Sequence, residues 1–417
     1  MADAYRPRDT LSLWWLGDPA QPRRVGDISL AMGQRAVALQ YSPEWLRSGF
    51  ALSEDLPLAP QLFLPPEKDS AAGALDDARP DRWGERVIRK FEKSPRLSLL
   101  EFLLFAGDDR YGALGVSTEP DAYVPWPTAP IPGLGSLEEM ADVVRKILAN
   151  EPVPERQKRL LRPGVSLGGA RPKSLVMIDG EAWLVKFTEG EELDTELMEH
   201  AAMTLATSCG IEVAATRALQ VGTRHAVAIR RFDRAPGVRV HAVSAFVALR
   251  AVGEENGYPQ LAQLLRRVAP ASAIAQQQQQ LFRRMVFNIL IDNTDDHEKN
   301  HALLRAPDGS YALAPAFDVV PSAQGLGYQA IGVGAAGAEA SIANALSQCR
   351  AFGLREADAR AVVEDVARAV DRWRKHFGKA GVPAAQVDVL AQYIDGDHLG
   401  AQRREFAARR RTKPAGR

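Results

Sequence analysis

Three polar residues in the C-terminal half of the chain have the types and the spacing that phosphoryl transfer requires. Asp295 and Asn300 have four residues between them, and Asp318 follows a predicted hairpin within Phe317-Asp318-Val319. A carboxylate at Asp295 could accept the proton of an attacking hydroxyl group. Amide and carboxylate oxygens at Asn300 and Asp318 are hard ligands that suit Mg²⁺. The pattern therefore predicts a base and a magnesium site for transfer of a phosphoryl group.

A glycine-rich stretch nearer the N-terminus could bind phosphate. It reads Pro-Gly-Val-Ser-Leu-Gly-Gly-Ala-Arg-Pro-Lys over residues 163–173 and leads into a predicted strand. Glycines let backbone amides approach phosphate oxygens without obstruction by side chains. Because a glycine-rich turn before a strand is more often structural, the stretch does not by itself establish a phosphate site.

Lys186 is the candidate cation for a nucleotide phosphate. Strand alternation places it on the same face as Ala182 and Leu184. A lysine on an apolar face needs a partner or a ligand, and a phosphate would serve. Glu196 or Glu199 on the next predicted helix could orient its ammonium group. The alternative is a lysine that extends from the end of the strand into solvent.

Other metal and redox chemistry is less consistent with the residues. His297 and His301 are four residues apart and could bind a metal from one helix face, but we predict a loop there. The two cysteines, Cys209 and Cys349, are too few for a disulfide framework or a cysteine-based zinc site. We expect both to be buried thiols in a reducing cytoplasm.

Composition limits the class of protein. The chain has 417 residues, of which 46% are hydrophobic and 25% charged, which excludes a disordered, collagen-like or fibrous protein. Lys+Arg and Asp+Glu both number 52, so the net charge gives no sign of a nucleic-acid or membrane partner. No apolar run reaches the roughly 18 residues of a membrane helix, and the first residues lack an apolar signal segment. We expect a cytoplasmic protein without a membrane partner.

Hydrophobic patterns predict a mixed α and β chain in three parts. A β-rich part with two short helices, residues 1–133, ends in a stretch from 119 to 133 that contains five prolines. A second part, 134–240, carries the candidate phosphate loop and Lys186, which would make it an ATP-binding small lobe, and it has an amphipathic helix at 136–149 and a hairpin around Asp179-Gly180. A helical lobe, 241–417, contains a hairpin around Asp308-Gly309, a glycine-rich mobile loop at 324–338 and a frayed basic tail from residue 403.

These motifs follow one another in the order found in protein kinases, and the chain resembles the HipA-type serine/threonine kinases, the toxins of bacterial toxin–antitoxin pairs. The resemblance covers nearly the whole chain. It rests on Asp76–Gly84, Asp109–Leu114, Ser166–Lys173, Trp183–Lys186, Asp194–Glu196, Arg231–Arg234, Asn293–Asn300 and Phe317–Asp318. The fold that it implies is α+β and protein-kinase-like, with two lobes, an N-terminal β-rich subdomain and an all-helical C-terminal lobe.

The resemblance also implies roles for individual residues. Asp295 would be the catalytic base, and Asn300 and Asp318 would bind Mg²⁺. Ser166 would be autophosphorylated, and its phosphate would repel those of ATP and switch the enzyme off. The residues that would contact ATP are Leu167, Gly168, Gly169, Ala170, Arg171, Lys186, Glu196, Arg230, Arg231, Phe232, Asn300 and Asp318, of which Arg230–Phe232 would form the hinge around adenine.

The partners implied by the family are a helix-turn-helix antitoxin and a protein substrate. Known members phosphorylate aminoacyl-tRNA synthetases, so growth arrest through a translation factor is expected. DNA would be contacted only indirectly, through the antitoxin complex. Two alternatives stay open: a small-molecule phosphotransferase, and a kinase-like repressor partner without catalysis.

Overall fold

The computed structural model describes residues 5–165 and 169–408 of the chain. The strands in these residues are β1 (Thr10–Trp15), β2 (Arg23–Ala31), β3 (Ala36–Tyr41), β4 (Leu62–Phe63), β5 (Leu114–Ser117), β6 (Lys173–Ile178), β7 (Glu181–Lys186), β8 (Thr216–Val221), β9 (Arg224–Arg230), β10 (Arg234–Ala235), β11 (Val238–Arg239), β12 (Ala242–Ser244), β13 (Ala302–Arg305) and β14 (Tyr311–Leu313). The α-helices are α1 (Pro43–Ser48), α2 (Arg82–Phe91), α3 (Leu99–Phe105), α4 (Leu137–Leu148), α5 (Glu155–Lys158), α6 (Thr195–Ser208), α7 (Ala245–Ala251), α8 (Tyr258–Val268), α9 (Ile274–Leu290), α10 (Ile342–Ser347), α11 (Glu356–Val370), α12 (Trp373–Lys379), α13 (Ala384–Ile394) and α14 (Asp397–Ala407).

The described residues group into two compact units. The first takes its residues from Met1–Gly190, Leu219–Glu254 and Ala302–Gly309. The second takes its residues from Glu191–Ala218, Glu255–His301 and Ser310–Arg417. The first unit is rich in strands and the second is mainly helical, as the sequence predicts. The finer division at residues 133 and 240 stays a prediction.

A five-stranded sheet of order β4-β3-β2-β1-β5 opens the first unit. Neighbouring strands of this sheet are antiparallel, and β1 lies between β2 and β5. Helix α3 packs beside this sheet, and a capping box fixes its start, because Ser98 and Glu101 satisfy each other's backbone N–H groups. Glu101 is buried and also forms an ion pair with Arg96 at 2.8 Å. The cap thus also provides a partner for a buried carboxylate.

The second sheet of this unit has the order β6-β7-β9-β8. Asp179 and Gly180 join β6 to β7 with φ values of +52° and +80°, which are the positive values of a type I′ hairpin turn. One face of β7, with Trp183 and Val185, packs into a core that also contains Trp83 of α2 and residues of α4. The hairpin and its apolar face confirm the alternation predicted from sequence. The core includes residues from both sides of the proline-rich stretch.

Helices α6 and α8 to α14 form most of the second unit. Asp194 accepts the N–H of Leu197 to cap the start of α6. Gly210, with φ of +73°, follows the end of this helix, as a C′ glycine should. The long helix α9 packs against α8 and α11, and it ends just before the segment with the predicted base.

Two expectations about this unit are wrong. Residues 403–407 are not a frayed tail, because α14 continues to Ala407 and buries Arg403 beside Asp371 and Asp395. The glycine-rich segment 324–338 is held in place rather than loose. Its backbone pairs within the segment and with Thr294, and it buries Ile331 and Val333. Distant partners, which sequence patterns do not contain, account for both differences.

The described residues contain no helix that is long and apolar enough to cross a membrane.

Candidate active site

The predicted base and one predicted magnesium ligand lie on a single turn after α9. Asp292 adopts a left-handed conformation, with φ of +58°, and turns the chain out of the helix. Asp295 is exposed, whereas Asn300 is buried at the end of a 3₁₀ turn over Glu298–Asn300. The side-chain Nδ2 of Asn300 donates to the backbone oxygen of Asp295 at 3.4 Å. The four-residue spacing therefore brings the two residues together, as predicted.

Backbone hydrogen bonds join this turn to the segment that follows Asp318. The N–H of Ser322 donates to the oxygen of Asp292 at 2.8 Å, and the hydroxyl of Ser322 accepts the N–H of Thr294 at 2.9 Å. Asp318 lies four residues before Ser322, half-buried between two buried apolar neighbours. Its φ of +57° is uncommon outside glycine and is the kind of local strain found at functional sites.

The side chain of Asn300 fits a metal ligand. It is only 4% exposed, and its Oδ1 has no hydrogen-bond partner among residues 5–165 and 169–408. A buried carbonyl oxygen without a partner loses about 1–3 kcal/mol of solvation, which a bound cation would restore. An amide oxygen and a carboxylate, the groups that Asn300 and Asp318 carry, are hard donors that suit Mg²⁺. The described residues contain no cluster of three or more His, Cys, Asp or Glu side chains that could hold a metal, so His297 and His301 do not form such a site.

A buried hydrogen-bond network supports this turn. Asp296, unlike its neighbour Asp295, is buried and accepts the hydroxyl of Tyr258, to which Asn288 donates at 3.1 Å. Burial, and then the negative charge of Asp296, raises the pKa of Tyr258 well above its ordinary value. The Nε2 of His301 lies 3.1 Å from Asp296 without hydrogen-bond geometry.

A small cavity of about 10 Å³ lies in this network, beside Asn300, His301 and Phe317. That volume is close to the minimum for one water molecule. This support was not predicted from the sequence. The Asp295-Asp296 pair was its only signal, since two adjacent acids seldom share one role.

Lys186, in the first unit, ends β7 in register with Lys173 of β6 and Val227 of β9. It is 4% exposed. That burial contradicts the alternative in which the side chain extends into solvent. Glu196 and Glu199 of α6, in the second unit, are also buried. That either of them orients Lys186 stays a prediction.

The phosphate loop is described only in part. Ser166, Leu167 and Gly168 lie outside the described residues. Gly169 has a φ of +85°, and both it and Ala170 are exposed, while Arg171 is half-buried. Residues 164–168 also match the Gly-x-Ser-x-Gly pattern of hydrolases. A nucleophile elbow requires a strand followed by a helix, whereas this loop leads into β6.

Close packing against the N-terminal segment anchors the stem of this loop. A Cβ atom at Gly164 would overlap the backbone oxygen of Ala106, and one at Gly84 would overlap that of Pro163. These two glycines are therefore required for packing.

A buried ion pair holds the other end of the loop. The ammonium group of Lys173 pairs with the carboxylate of Asp81, which caps α2. The backbone oxygen of Lys173 accepts the indole N–H of Trp83 at 2.9 Å. Lys173 also donates to the oxygen of Gly169 at 3.2 Å. From the sequence, these residues stood out only as part of the family resemblance, because the ion pair joins positions 92 residues apart.

The predicted hinge has arginine side chains that bind other parts of the protein. Arg230 forms an exposed ion pair with Glu181. Arg231 is buried, contacts both carboxylate oxygens of Asp233, and donates to the backbone oxygens of Asp109 and Arg110. Adenine contacts would therefore fall to the backbone here. The assignment of Arg230, Arg231 and Phe232 to ATP stays a prediction.

Asp233 is the centre of this buried cluster. Arg231 and Arg234 approach its carboxylate to 2.7 Å, and the backbone N–H of Gly112 donates to it at 2.8 Å. Burial alone would raise the pKa of Asp233, but the two guanidinium groups lower it to about 2. The carboxylate therefore stays ionised within the protein and joins the hinge to the N-terminal segment.

Comparison with known proteins agrees with this α+β arrangement. The model of the HipA N-terminal domain matches residues 20–117, and that of the HipA-like C-terminal domain matches residues 165–373. The second match alone covers half of the chain. The chain therefore belongs to the HipA family.

Two relatives from Sinorhizobium fredii bear the names of kinases. "Putative kinase Y4dM" is 30% identical over 154 residues, which are 34% of this chain and 37% of that protein. "Putative kinase Y4mE" is 29% identical over 345 residues, 74% of this chain and 76% of that protein. The chain thus spans little more than a third of the first relative and about three quarters of the second.

A solved structure is similar over nearly the whole chain. It is the Shewanella oneidensis MR-1 toxin–antitoxin complex of HipA, HipB and operator DNA. The TM-score is 0.65 at 20% identity, and the match covers 95% of this chain and 97% of that one. At this identity the likeness concerns the fold, and it confirms the prediction of a β-rich N-terminal part and a helical C-terminal part.

Proposed function

We propose that this chain is an Mg-ATP-dependent protein serine/threonine kinase that acts as a toxin. The observation that carries the proposal is the turn after α9. It exposes Asp295, buries the unpartnered amide oxygen of Asn300, and is hydrogen-bonded to the segment after Asp318. These are the parts that phosphoryl transfer requires in one place.

The chemistry assigns one task to each residue. Asp295 accepts the proton as the substrate hydroxyl oxygen bonds to the γ-phosphorus and the bond to the leaving ADP oxygen breaks. Asn300 and Asp318 would hold Mg²⁺, which neutralises charge on the phosphates when bound. Lys186 would contact the phosphates, and the loop at 164–173 would surround them.

The test is a kinase assay with purified protein and labelled ATP. Asp295→Asn should lower self-labelling about 10²–10⁴-fold, the usual contribution of a general base. Asp388→Asn, at an exposed position on α13, is the matched control and should label as the wild type does. Equal labelling of Asp295→Asn and wild type would show that the base is assigned wrongly.

Autoregulation through Ser166 is part of the proposal. A phosphate on this serine would repel the phosphates of ATP and disturb the loop amides. Ser166→Ala should remove most self-labelling and increase growth arrest in cells. Unchanged total self-labelling in this variant would place the modified residue elsewhere.

Partners follow from the toxin assignment. The Shewanella neighbour is a complex with HipB and operator DNA, which supports a helix-turn-helix antitoxin as the partner and DNA contact through it. A translation factor such as an aminoacyl-tRNA synthetase is the proposed protein substrate. Cells that express the chain should gain new protein phosphosites, whereas a small-molecule phosphotransferase would produce none.

Calorimetry separates a kinase from a repressor partner without catalysis. A working site should bind Mg-ATP, and Asn300→Ala should weaken that binding. A chain that acts only through the antitoxin complex should show little heat with Mg-ATP.

A further inference from the structure

Four buried side chains form a series of hydrogen bonds that begins and ends on the turn of the predicted base. The Nδ2 of Asn293 donates to the Oδ1 of Asn288 at 3.2 Å, and the Nδ2 of Asn288 donates to the hydroxyl oxygen of Tyr258 at 3.1 Å. The hydroxyl of Tyr258 donates in turn to the carboxylate of Asp296. Asn293 and Asp296 lie on either side of Asp295 in the sequence, so the series closes around the base.

Every hydrogen bond in this series points the same way. The amide of Asn288 accepts from Asn293 with its oxygen, which leaves its NH₂ group for Tyr258. The single hydrogen of the Tyr258 hydroxyl is then available to Asp296. Burial raises the pKa of Tyr258 well above its ordinary value, so the hydroxyl keeps this hydrogen at neutral pH. Aligned hydrogen bonds of this kind strengthen one another in a buried setting.

Helix α8 holds the tyrosine firmly in place. Tyr258 is fully buried at the first position of this helix, and its backbone N–H donates to the oxygen of Gly332 at 2.8 Å. Its ring meets the imidazole of His301 edge-on, with the ring centroids 5.1 Å apart. The tyrosine therefore contacts both ends of the segment 296–301, in which Asn300 lies.

The backbone on the two sides of Asp295 is anchored differently. On the N-terminal side, the N–H of Thr294 donates to the hydroxyl of Ser322 at 2.9 Å, and the oxygen of Thr294 accepts the N–H of Ala330 at 3.1 Å. On the C-terminal side, the buried side chain of Asp296 is an anchor. A displacement of about 1 Å at a catalytic group can cost about 10²-fold in rate. The hydrogen bond to Asp296 therefore bears on the position of the base.

We propose that Tyr258 is a positioning residue of the proposed kinase: its hydroxyl holds Asp296 and thereby keeps the carboxylate of Asp295 in place for proton transfer. The inference rests on the proposed function. Asp296 is 2% exposed, whereas Asp295 is exposed, so the two acids have separate tasks. Phenylalanine at position 258 would keep the ring beside His301, so the loss of the hydroxyl should slow the transfer step and leave ATP binding unchanged.

The experiment measures self-labelling of the full chain at increasing concentrations of Mg-ATP, with rates expressed per folded protein by circular dichroism. Tyr258→Phe should lower the maximal rate about 10–10²-fold. The half-saturating concentration should change by less than about twofold, which separates positioning from binding. Tyr328→Phe removes the hydroxyl of an exposed tyrosine in the same unit and is the matched control, which should leave both quantities unaltered.

Variants of Asp296 test the proposal independently of the fold of Tyr258→Phe. Asp296→Asn keeps an oxygen that accepts the tyrosine hydroxyl, so its maximal rate should stay within about threefold of the wild type. Asp296→Ala should lose as much rate as Tyr258→Phe. The variant with both Tyr258→Phe and Asp296→Ala should be no slower than either single variant, because both changes remove the same hydrogen bond.

Three results would overturn the positioning role and leave the kinase proposal in place. An unaltered maximal rate in folded Tyr258→Phe would make its hydroxyl purely structural. A loss in Asp296→Asn as large as that in Asp295→Asn would give Asp296 a direct part in proton transfer. Additive losses in the double variant would show that the two residues act separately. A wild-type chain that does not label itself would overturn the kinase proposal and the positioning role together.

Discussion

Asp233 in the first unit and Asn300 in the second are both buried polar residues, yet their surroundings differ. The carboxylate of Asp233 accepts hydrogen bonds from two arginines and a backbone N–H. The amide oxygen of Asn300 has no partner in the described part of the chain. A buried group whose hydrogen bonds are all made within the protein is structural, and one that is left incomplete indicates a ligand. The contrast predicts that changes at Asp233 affect stability and changes at Asn300 affect binding.

The largest expected effect is on stability, at Asp233. Asp233→Ala leaves the buried Arg231 without its carboxylate, so the free energy of unfolding should fall by about 3–5 kcal/mol. Denaturant unfolding followed by circular dichroism measures this. Asp388→Ala removes an exposed carboxylate 3.7 Å from Arg374 and should change stability by less than about 0.5 kcal/mol. Equal effects of the two substitutions would remove the contrast.

The pH dependence of stability is the next largest effect. The folded pKa of Asp233 is about 2, below its ordinary value of 3.8. Its stabilisation is therefore present above pH 4 and is lost as the pH falls through 4 toward 2, on the order of 2 kcal/mol in all. Unfolding of wild type and Asp233→Asn should be compared across this range. Because asparagine cannot titrate, the wild type should lose more stability than the variant, and parallel curves would contradict the assignment.

The smallest effect on stability is expected at Asn300. Asn300→Ala removes one long hydrogen bond, of 3.4 Å, so the free energy of unfolding should change by less than about 1 kcal/mol. Affinity for Mg-ATP should fall at least tenfold, since a proposed ligand of the metal ion is lost. Calorimetry with Mg-ATP measures the second quantity. A variant that is strongly destabilised but binds Mg-ATP normally would show that Asn300 is structural.

Local features could be predicted from the sequence. Asp179-Gly180 specified its hairpin because both residues tolerate positive φ, and Asp194 and Gly210 marked the two ends of α6. The spacing of Asp295 and Asn300 placed both residues on one turn, because the chain between them is short.

Features that depend on distant partners could not be predicted. Asp295 and Asp296 are adjacent and identical in type, and the hydrogen bond from the remote Tyr258 gives the second one a structural role. Arg403 looked like part of a basic tail, because Asp371 and Asp395 are remote in sequence. Likewise, Arg231 in the predicted hinge has a structural role because the backbone oxygens of Asp109 and Arg110, which are remote in sequence, accept its hydrogen bonds.

The core shared by α2, α4 and the β6–β7 hairpin limits where the chain can be truncated or its domains exchanged. A shortened chain that starts at residue 134 would lose Trp83 and Val87 and expose apolar side chains of the hairpin to water. We expect such a fragment to aggregate, although it retains the whole C-terminal family domain. Exchanging N-terminal domains between relatives would succeed only where the donor keeps a glycine at position 84, since a side chain there would collide with Pro163.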